Sequence, residues 1–177
     1  MVAKINFAHR LAVISLGYVD LLTAVIFASR GLGVIGVDMG EKKVETVNSG
    51  RCYIREPGLD NLLRNVVSKG FLRATTDTVG TVRKSDAVLI PVMEGVTDLS
   101  YLKEVLEAVR RDLHRELPVI IESTIPPGTT ASFAKPPFEE TGLKSRTSYS
   151  VHVPERIMPE LLLKSLTYYE GRISCRC

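Results

Sequence analysis

LAVISLGYVD, residues 11–20, is the stretch that decides the fold. Its aliphatic beginning favours a β-strand, a turn of small residues follows, and the next segment, up to Arg30, is apolar and helical in composition. A second apolar run, 33–37, ends at the acid Asp38. This order is typical of a βαβ unit that binds a dinucleotide, with backbone N–H groups around Leu16–Val19 facing a phosphate.

The glycine pattern of this turn departs from the usual one. Dinucleotide-binding turns follow G-x-G-x-x-G, and aligning Gly17 with the second glycine puts Ser15 at the first position and Asp20 at the third. Asp20 would either face the phosphate or simply cap the first helical turn. A carboxylate about 6 Å from a phosphate charge costs roughly 2–3 kcal/mol at an effective dielectric near 20, which would lower cofactor affinity by one to two orders of magnitude.

Asp38 is the second candidate binding residue. It lies about 20 residues beyond the glycine turn, where a carboxylate accepts hydrogen bonds from both hydroxyls of the adenosine ribose. The same carboxylate would repel a 2′-phosphate, which favours NAD over NADP. The alternative role for Asp38 is an N-cap for the helix predicted over 41–49.

Composition limits the possible classes of protein. The chain has 177 residues, of which 45% are hydrophobic, and a net charge of only +3 from dispersed basic residues, so we expect no nucleic-acid partner. Cys52, Cys175 and Cys177 form neither a disulfide framework nor a metal-binding pattern, which favours a reducing cytoplasm. No signal peptide or membrane-spanning stretch is expected, and so no membrane partner.

The rest of the chain alternates apolar strands with amphipathic helices. This alternation predicts an α/β fold, a single doubly wound, Rossmann-like parallel sheet over 11–160, between an N-terminal extension, 1–10, and a linker helix with an atypical tail, 161–177. Pro136 and Pro137 are expected to end or kink the helix that begins near Thr129. The other predicted helices are 59–69, 79–83 and 100–116, and the other predicted strands are 72–76, 86–92, 118–122 and 148–153.

Six short motifs make the chain similar to one family. It resembles the N-terminal, NAD-binding domain of the UDP-glucose/GDP-mannose dehydrogenase family, in the branch that oxidises UDP-N-acetylmannosamine and related sugars. The resemblance covers about residues 11–160. The motifs are GYV at 17–19, EKKV through NSG at 41–50, REPGL at 55–59, DLSY at 98–101, ESTIPPGTT at 122–130 and PERI at 154–157.

The resemblance implies an activity and a cofactor site. Enzymes of the family oxidise the C6 alcohol of a nucleotide sugar to a carboxylate in two NAD-dependent steps, through a thioester on a cysteine. That chemistry belongs to nucleotide-sugar metabolism and polysaccharide biosynthesis. Gly17, Tyr18 and Val19 would line the diphosphate, Asp38 would hold the ribose, and Lys43 would lie along the adenosine.

Three further residues are implied in the same way. Val92 would contact the cofactor at the start of a loop, Thr124 would lie near the nicotinamide and the catalytic water, and Glu155 would assist thioester hydrolysis. The alternative for Thr124 is a hydroxyl that stabilises a turn. The alternative for Glu155 is a surface partner of Arg156.

The departures from the family are also informative. Its members are about twice as long, and a second domain supplies the nucleophilic cysteine, a lysine and an asparagine. Those motifs do not occur here, Cys175 and Cys177 lack the nucleophile's context, and the loop at 93–97 is short. The segment after Thr167 looks like an altered reading frame or a truncation.

We therefore expect an NAD-binding fragment of a UDP-sugar dehydrogenase that is inactive alone. Its expected partners are a second copy, joined through the apolar segment 161–169, or a complementary C-terminal half. One alternative is a non-catalytic remnant or interaction module that has lost the cofactor site. A free-standing hydroxyacid reductase would need His9, His114 or His152 as its acid or base.

Overall fold

The computed structural model describes residues 10–91, 100–111, 117–122, 135–140 and 150–153. Strands and helices alternate along these ranges. In chain order they are β1 Arg10–Ile14, α1 Tyr18–Ser29, β2 Gly33–Val37, α2 Glu41–Asn48, α3 Leu59–Ser68, β3 Leu72–Thr75, α4 Thr78–Arg83, β4 Ala87–Pro91, α5 Ser100–Arg110, β5 Val119–Glu122, α6 Lys135–Glu139 and β6 Ser150–Val153.

The six strands form one parallel sheet in the order β3-β2-β1-β4-β5-β6. The chain moves outward from β1 to β2 and β3, and then returns to the other side of β1 as β4. This is the doubly wound sheet that the sequence predicts. Its strand order reverses between β1 and β4, and a crevice for ligands lies at the carboxyl ends of the strands at such a point.

The sheet is covered by helices on both faces. Leu11 and Val13 of β1 belong to the buried cluster formed with α1 and α3. Ala12 and Ile14 of the same strand belong to the cluster formed with α4, α5 and α6. Burial on both faces explains why the central strand is a continuous apolar run rather than an alternating one.

The helix boundaries agree with the sequence to within about one residue, except for α5, which ends at Arg110 rather than near residue 116, and at the two prolines. Gly31 follows α1 with a φ of +90°, the left-handed conformation that commonly ends a helix. Pro136 and Pro137, however, lie in the first turn of α6 instead of ending a helix. Proline is tolerated there because the first N–H groups of a helix have no intrahelical acceptor.

Asn48 ties the end of α2 to β3, the outermost strand on its side of the sheet. Its side-chain amide donates to the carbonyl of Ala74 (2.9 Å), and its side-chain carbonyl accepts from the N–H of Ala74 (2.7 Å). Ala74 is paired in register with Gly36 of β2. The Asn48 amide therefore satisfies the Ala74 backbone groups that point away from β2.

Replacing Asn48 with aspartate should be more damaging than replacing it with alanine. Alanine removes both hydrogen bonds and should lower the free energy of unfolding by about 1–2 kcal/mol. Aspartate keeps the acceptor but brings a carboxylate oxygen against the carbonyl of Ala74, which adds repulsion. Urea unfolding at neutral pH measures both changes, with the exposed Asn65→Asp as the matched control. Equal stabilities of Asn48→Asp and the unaltered chain would contradict the paired geometry.

Candidate functional site

The turn between β1 and α1 begins at Ser15, which has a φ of +95°. The N–H of Ser15 donates to the carbonyl of Val37 (2.8 Å), which ties the turn to the end of β2. A residue with a Cβ pays about 1–3 kcal/mol to occupy such a backbone region. Ser15 thus adopts the conformation for which the usual motif places glycine at this position.

Asp20 folds back onto the start of its own helix. Its Oδ2 accepts a hydrogen bond from the N–H of Gly17 (2.9 Å), the residue that precedes α1. A Cβ on Gly17 would lie 2.8 Å from the same oxygen, so the carboxylate needs the space that glycine leaves. Asp20 therefore stabilises the start of α1 from the third helical position, through the N–H of the N-cap residue Gly17.

The next backbone amides along the turn remain available to a ligand. The first intrahelical donor of α1 is Leu21, whose N–H donates to the carbonyl of Gly17 (3.2 Å). Tyr18 and Val19 precede it, and the first N–H groups of a helix have no partner four residues back. Those amides and the positive end of the helix dipole suit an anion.

Asp38 follows β2 directly and faces this turn. Its Oδ2 accepts from the N–H of Leu16 (3.1 Å) and from Nζ of Lys43 (3.0 Å), and its Oδ1 accepts from the N–H of Gly40 (2.8 Å). Burial alone would raise the pKa of this carboxyl, but the bonds from Gly40, Lys43 and Leu16 hold it below its usual value. Asp38 therefore stays ionised at neutral pH.

The helix-cap alternative for Asp38 is wrong in detail. Gly40 is the residue that caps α2, and Asp38 holds its N–H from two residues upstream. Lys43 lies in the first turn of α2 and pairs with the same carboxylate. Gly17, Asp38 and Lys43 are thus brought together at the carboxyl ends of β1 and β2, and Tyr18 and Val19 form the first two positions of α1.

Tyr53 joins this group without having been predicted. Its hydroxyl donates a short hydrogen bond to the carbonyl of Leu16. Burial raises the pKa of Tyr53, and the charge of Asp38 adds to the effect, so the hydroxyl remains a donor. The loop at 51–58 is thereby fastened to the glycine turn. The only signal in the sequence was a hydroxyl-bearing aromatic residue just before the REPGL motif.

Leu16 fixes the turn from the opposite side. Its side chain is fully buried and lies over Gly36 of β2. A Cβ on Gly36 would come within 2.6 Å of Cδ2 of Leu16, a distance that real contacts do not show. A glycine in the middle of a buried strand is therefore required by the close approach of the turn.

The remaining predicted site residues are not positioned by the described part of the chain. Val92, Thr124 and Glu155 lie outside it, as do His9, His114, Cys175, Cys177 and the segments 93–97 and 161–169. His152 lies in β6. Strands β4, β5 and β6 precede Val92, Thr124 and Glu155 in the chain, and all three strands run parallel to β1.

Three general features concern only the described ranges. Burial raises the pKa of the Cys52 thiol, which therefore stays protonated and unreactive at neutral pH. In the same ranges, no three His, Cys, Asp or Glu side chains are grouped as metal ligands. Nor does any helix there combine the length and apolar character needed to cross a bilayer.

Comparison with known proteins agrees with this geometry. Residues 9–173 match the model of the UDP-glucose/GDP-mannose dehydrogenase family, NAD binding domain. The UDP-N-acetyl-D-mannosamine dehydrogenase of Pyrococcus horikoshii is 41% identical over 164 residues, which cover 90% of this chain and 39% of that protein. The enzyme of the same name from Campylobacter jejuni is 37% identical, with 91% and 42% covered.

Solved structures give the same result. The P. horikoshii enzyme superposes with a TM-score of 0.85 at 38% identity, covering 94% of this chain and 41% of that one. An NDP-N-acetyl-D-galactosaminuronic acid dehydrogenase from Methanosarcina mazei gives 0.87 at 31% identity, with 94% and 38% covered. The chain thus spans about 40% of the length of these relatives. It belongs to the UDP-glucose/GDP-mannose dehydrogenase family, of which it carries the NAD-binding domain.

Proposed function

We propose that the chain binds NAD at the carboxyl ends of β1 and β2, as part of a dehydrogenase that oxidises the C6 alcohol of a UDP-sugar. The observation that carries the proposal is Asp38, an ionised carboxylate fixed by Leu16, Gly40 and Lys43 beside the glycine turn. NAD, when bound, would accept the hydride removed from the sugar. The residues described here would bind and orient it.

The two halves of the site fit the cofactor to different degrees. On the ribose side Asp38 offers acceptors, and Met39, 81% exposed, offers an apolar contact to the base. On the diphosphate side the amides of Tyr18 and Val19 are available, but Asp20 already takes that of Gly17. We therefore expect NAD to bind more weakly than at a turn with all three glycines.

Calorimetric titration of the chain with NAD and with NADP tests this proposal. NAD should bind measurably, and NADP should bind at least tenfold more weakly because its 2′-phosphate would meet the Asp38 carboxylate. Absence of binding at millimolar NAD would overturn the proposal. Equal affinity for the two cofactors would remove Asp38 from the ribose site.

One observation favours a second candidate function. Because the Asp20 carboxylate occupies the Gly17 amide, the domain could keep its fold as an interaction module without binding a cofactor. The double variant Ser15→Gly, Asp20→Gly separates the two readings. Recovery of NAD binding in a chain that otherwise lacks it would show an intact pocket closed by these residues, whereas failure would favour the module.

The complete reaction would also need partners. In the family a second domain supplies the cysteine nucleophile, so we propose that a UDP-sugar is oxidised only together with such a half, in the cytoplasm and for polysaccharide synthesis. The apolar segment 161–169 would pair with a second copy. Light scattering over a concentration series should show a dimer, and a monomer at high concentration would contradict the pairing.

A further inference from the structure

The diphosphate side of the proposed NAD site already holds a negative group of the chain itself. Oδ2 of Asp20 lies 2.9 Å from the N–H of Gly17, and only 9% of the residue is exposed. The amide that it occupies belongs to the turn that would bind the diphosphate. The inference drawn from this contact rests on the proposed NAD site.

The two departures from the glycine pattern support each other. Asp20 shares a side-chain hydrogen bond with Ser15, and the N–H of Gly17 lies within reach of both Oδ2 of Asp20 (2.9 Å) and Oγ of Ser15 (3.2 Å). The serine at the strained position thus helps to hold the carboxylate that fills the place of the third glycine. Ser15 and Asp20 therefore form one hydrogen-bonded arrangement rather than two independent departures from the glycine pattern.

Titratable groups from three other segments lie near Asp20. Lys43 of α2 favours its ionised form, and Asp38 at the end of β2 opposes it. The Tyr53 hydroxyl, in the loop before α3, also lies within the electrostatic influence of Asp20. Burial outweighs the hydrogen bonds from Ser15 and Gly17 and the charge of Lys43, so the pKa of Asp20 is raised.

We propose that Asp20 is an internal competitor of the cofactor's diphosphate, and that NAD binds together with one proton, which adds to the Asp20 carboxylate. An ionised Asp20 and a diphosphate repel each other and compete for the same amide. A protonated Asp20 has lost that repulsion, and its O–H is able to donate to a phosphate oxygen. The proton comes from solvent, and no other bond is made or broken.

The pH dependence of NAD affinity tests the proposal. Calorimetry across a pH series that begins above the ordinary carboxyl pKa should show affinity rising as pH falls, by up to tenfold per pH unit where Asp20 is ionised in the free chain and protonated in the complex. Titrations in two buffers with different ionisation enthalpies should show net proton uptake on binding, with a maximum of roughly 0.5–0.8 proton for a 10- to 100-fold effect of the Asp20 charge. A flat affinity profile without proton uptake would overturn it.

Asp20→Asn keeps the size and the acceptor of the side chain but removes its charge. At neutral pH this variant should bind NAD roughly 10- to 100-fold more tightly than the unaltered chain, with no pH dependence from this position. The matched control is Asp86→Asn, the same charge change at the opposite end of the sheet, where Asp86 pairs with Arg10. The control should leave both the affinity and its pH profile unchanged.

A second measurement needs no cofactor. In the free protein, the amide resonance of Gly17 should move with pH as Asp20 is protonated, and the movement should vanish in Asp20→Asn. A Gly17 amide resonance whose chemical shift does not change with pH would contradict the hydrogen bond between the N–H of Gly17 and the Asp20 carboxylate. If no variant binds NAD, the proposed function fails and this inference fails with it. If the unaltered chain and Asp20→Asn bind NAD equally at every pH, only this inference fails.

Discussion

Gly36→Ala should lower the free energy of unfolding by about 1–3 kcal/mol, because overpacking a well-filled core costs this much. The new methyl group would lie 2.6 Å from Cδ2 of Leu16. Leu16 is part of the turn and Gly36 is part of β2, so neither backbone is free to move away. Leu16 would have to move, and its backbone carries the contacts to Asp38 and Tyr53. NAD affinity should therefore fall together with stability, as measured by urea unfolding and calorimetry.

A double-mutant cycle separates this contact from a general loss of strand stability. Leu16→Ala alone should cost about 2–5 kcal/mol because it leaves a cavity. In the double variant the methyl group at position 36 enters that cavity, so the combined loss should be smaller than the sum of the two. Losses that add to within about 0.5 kcal/mol would contradict the collision.

Asp38→Asn should weaken NAD binding about 10- to 100-fold, since charged hydrogen bonds contribute roughly 1.5–3 kcal/mol each. The variant keeps the size of the side chain but loses the charge that pairs with Lys43 and that would accept the ribose hydroxyls. It should also bind NADP nearly as well as NAD. The matched control is Asp60→Asn, which removes an exposed ion pair with Arg64 and should bind NAD like the unaltered chain.

The same variant changes the pH dependence of stability. The pKa of Asp38 is lowered in the folded chain, so its stabilisation is complete above the ordinary carboxyl pKa and is lost as pH falls through the folded value. Asp38→Asn should therefore be less stable near neutral pH and should lose less stability on acidification. Urea unfolding across an acid series measures this difference. Parallel curves for the two proteins would contradict the role of the ionised carboxylate.

The sequence predicted the framework because its signals are local. Apolar runs that end in turns located the strands. Gly31 indicated the end of α1, because glycine readily adopts the positive φ that it has there. Asp38 was predicted because a carboxylate after the second strand necessarily lies near the turn after the first. Such features depend on spacing along the chain and on the parallel pairing of strands, both of which can be read without coordinates.

Contacts between distant residues could not be predicted. Tyr53 reaches Leu16 across 37 positions, and a tyrosine in a loop could equally have faced solvent. From the sequence alone, Gly36 is a residue that destabilises a strand, and only the structure shows that the Leu16 side chain packs against it. The interaction of Ser15 with Asp20 was also missed, because each residue was judged against the glycine pattern separately. Their combined role depends on how a helix turn brings the two side chains together.

Asn48 has a consequence for how copies of this domain meet. An outermost strand with unpaired backbone groups is a template onto which another chain adds, and such addition leads to aggregation. At Ala74 the outward-facing backbone groups are already hydrogen-bonded, because the Asn48 amide supplies the donor and the acceptor that an incoming strand would offer. Strand addition at this point must first break two hydrogen bonds, so assembly of the domain is directed to other surfaces.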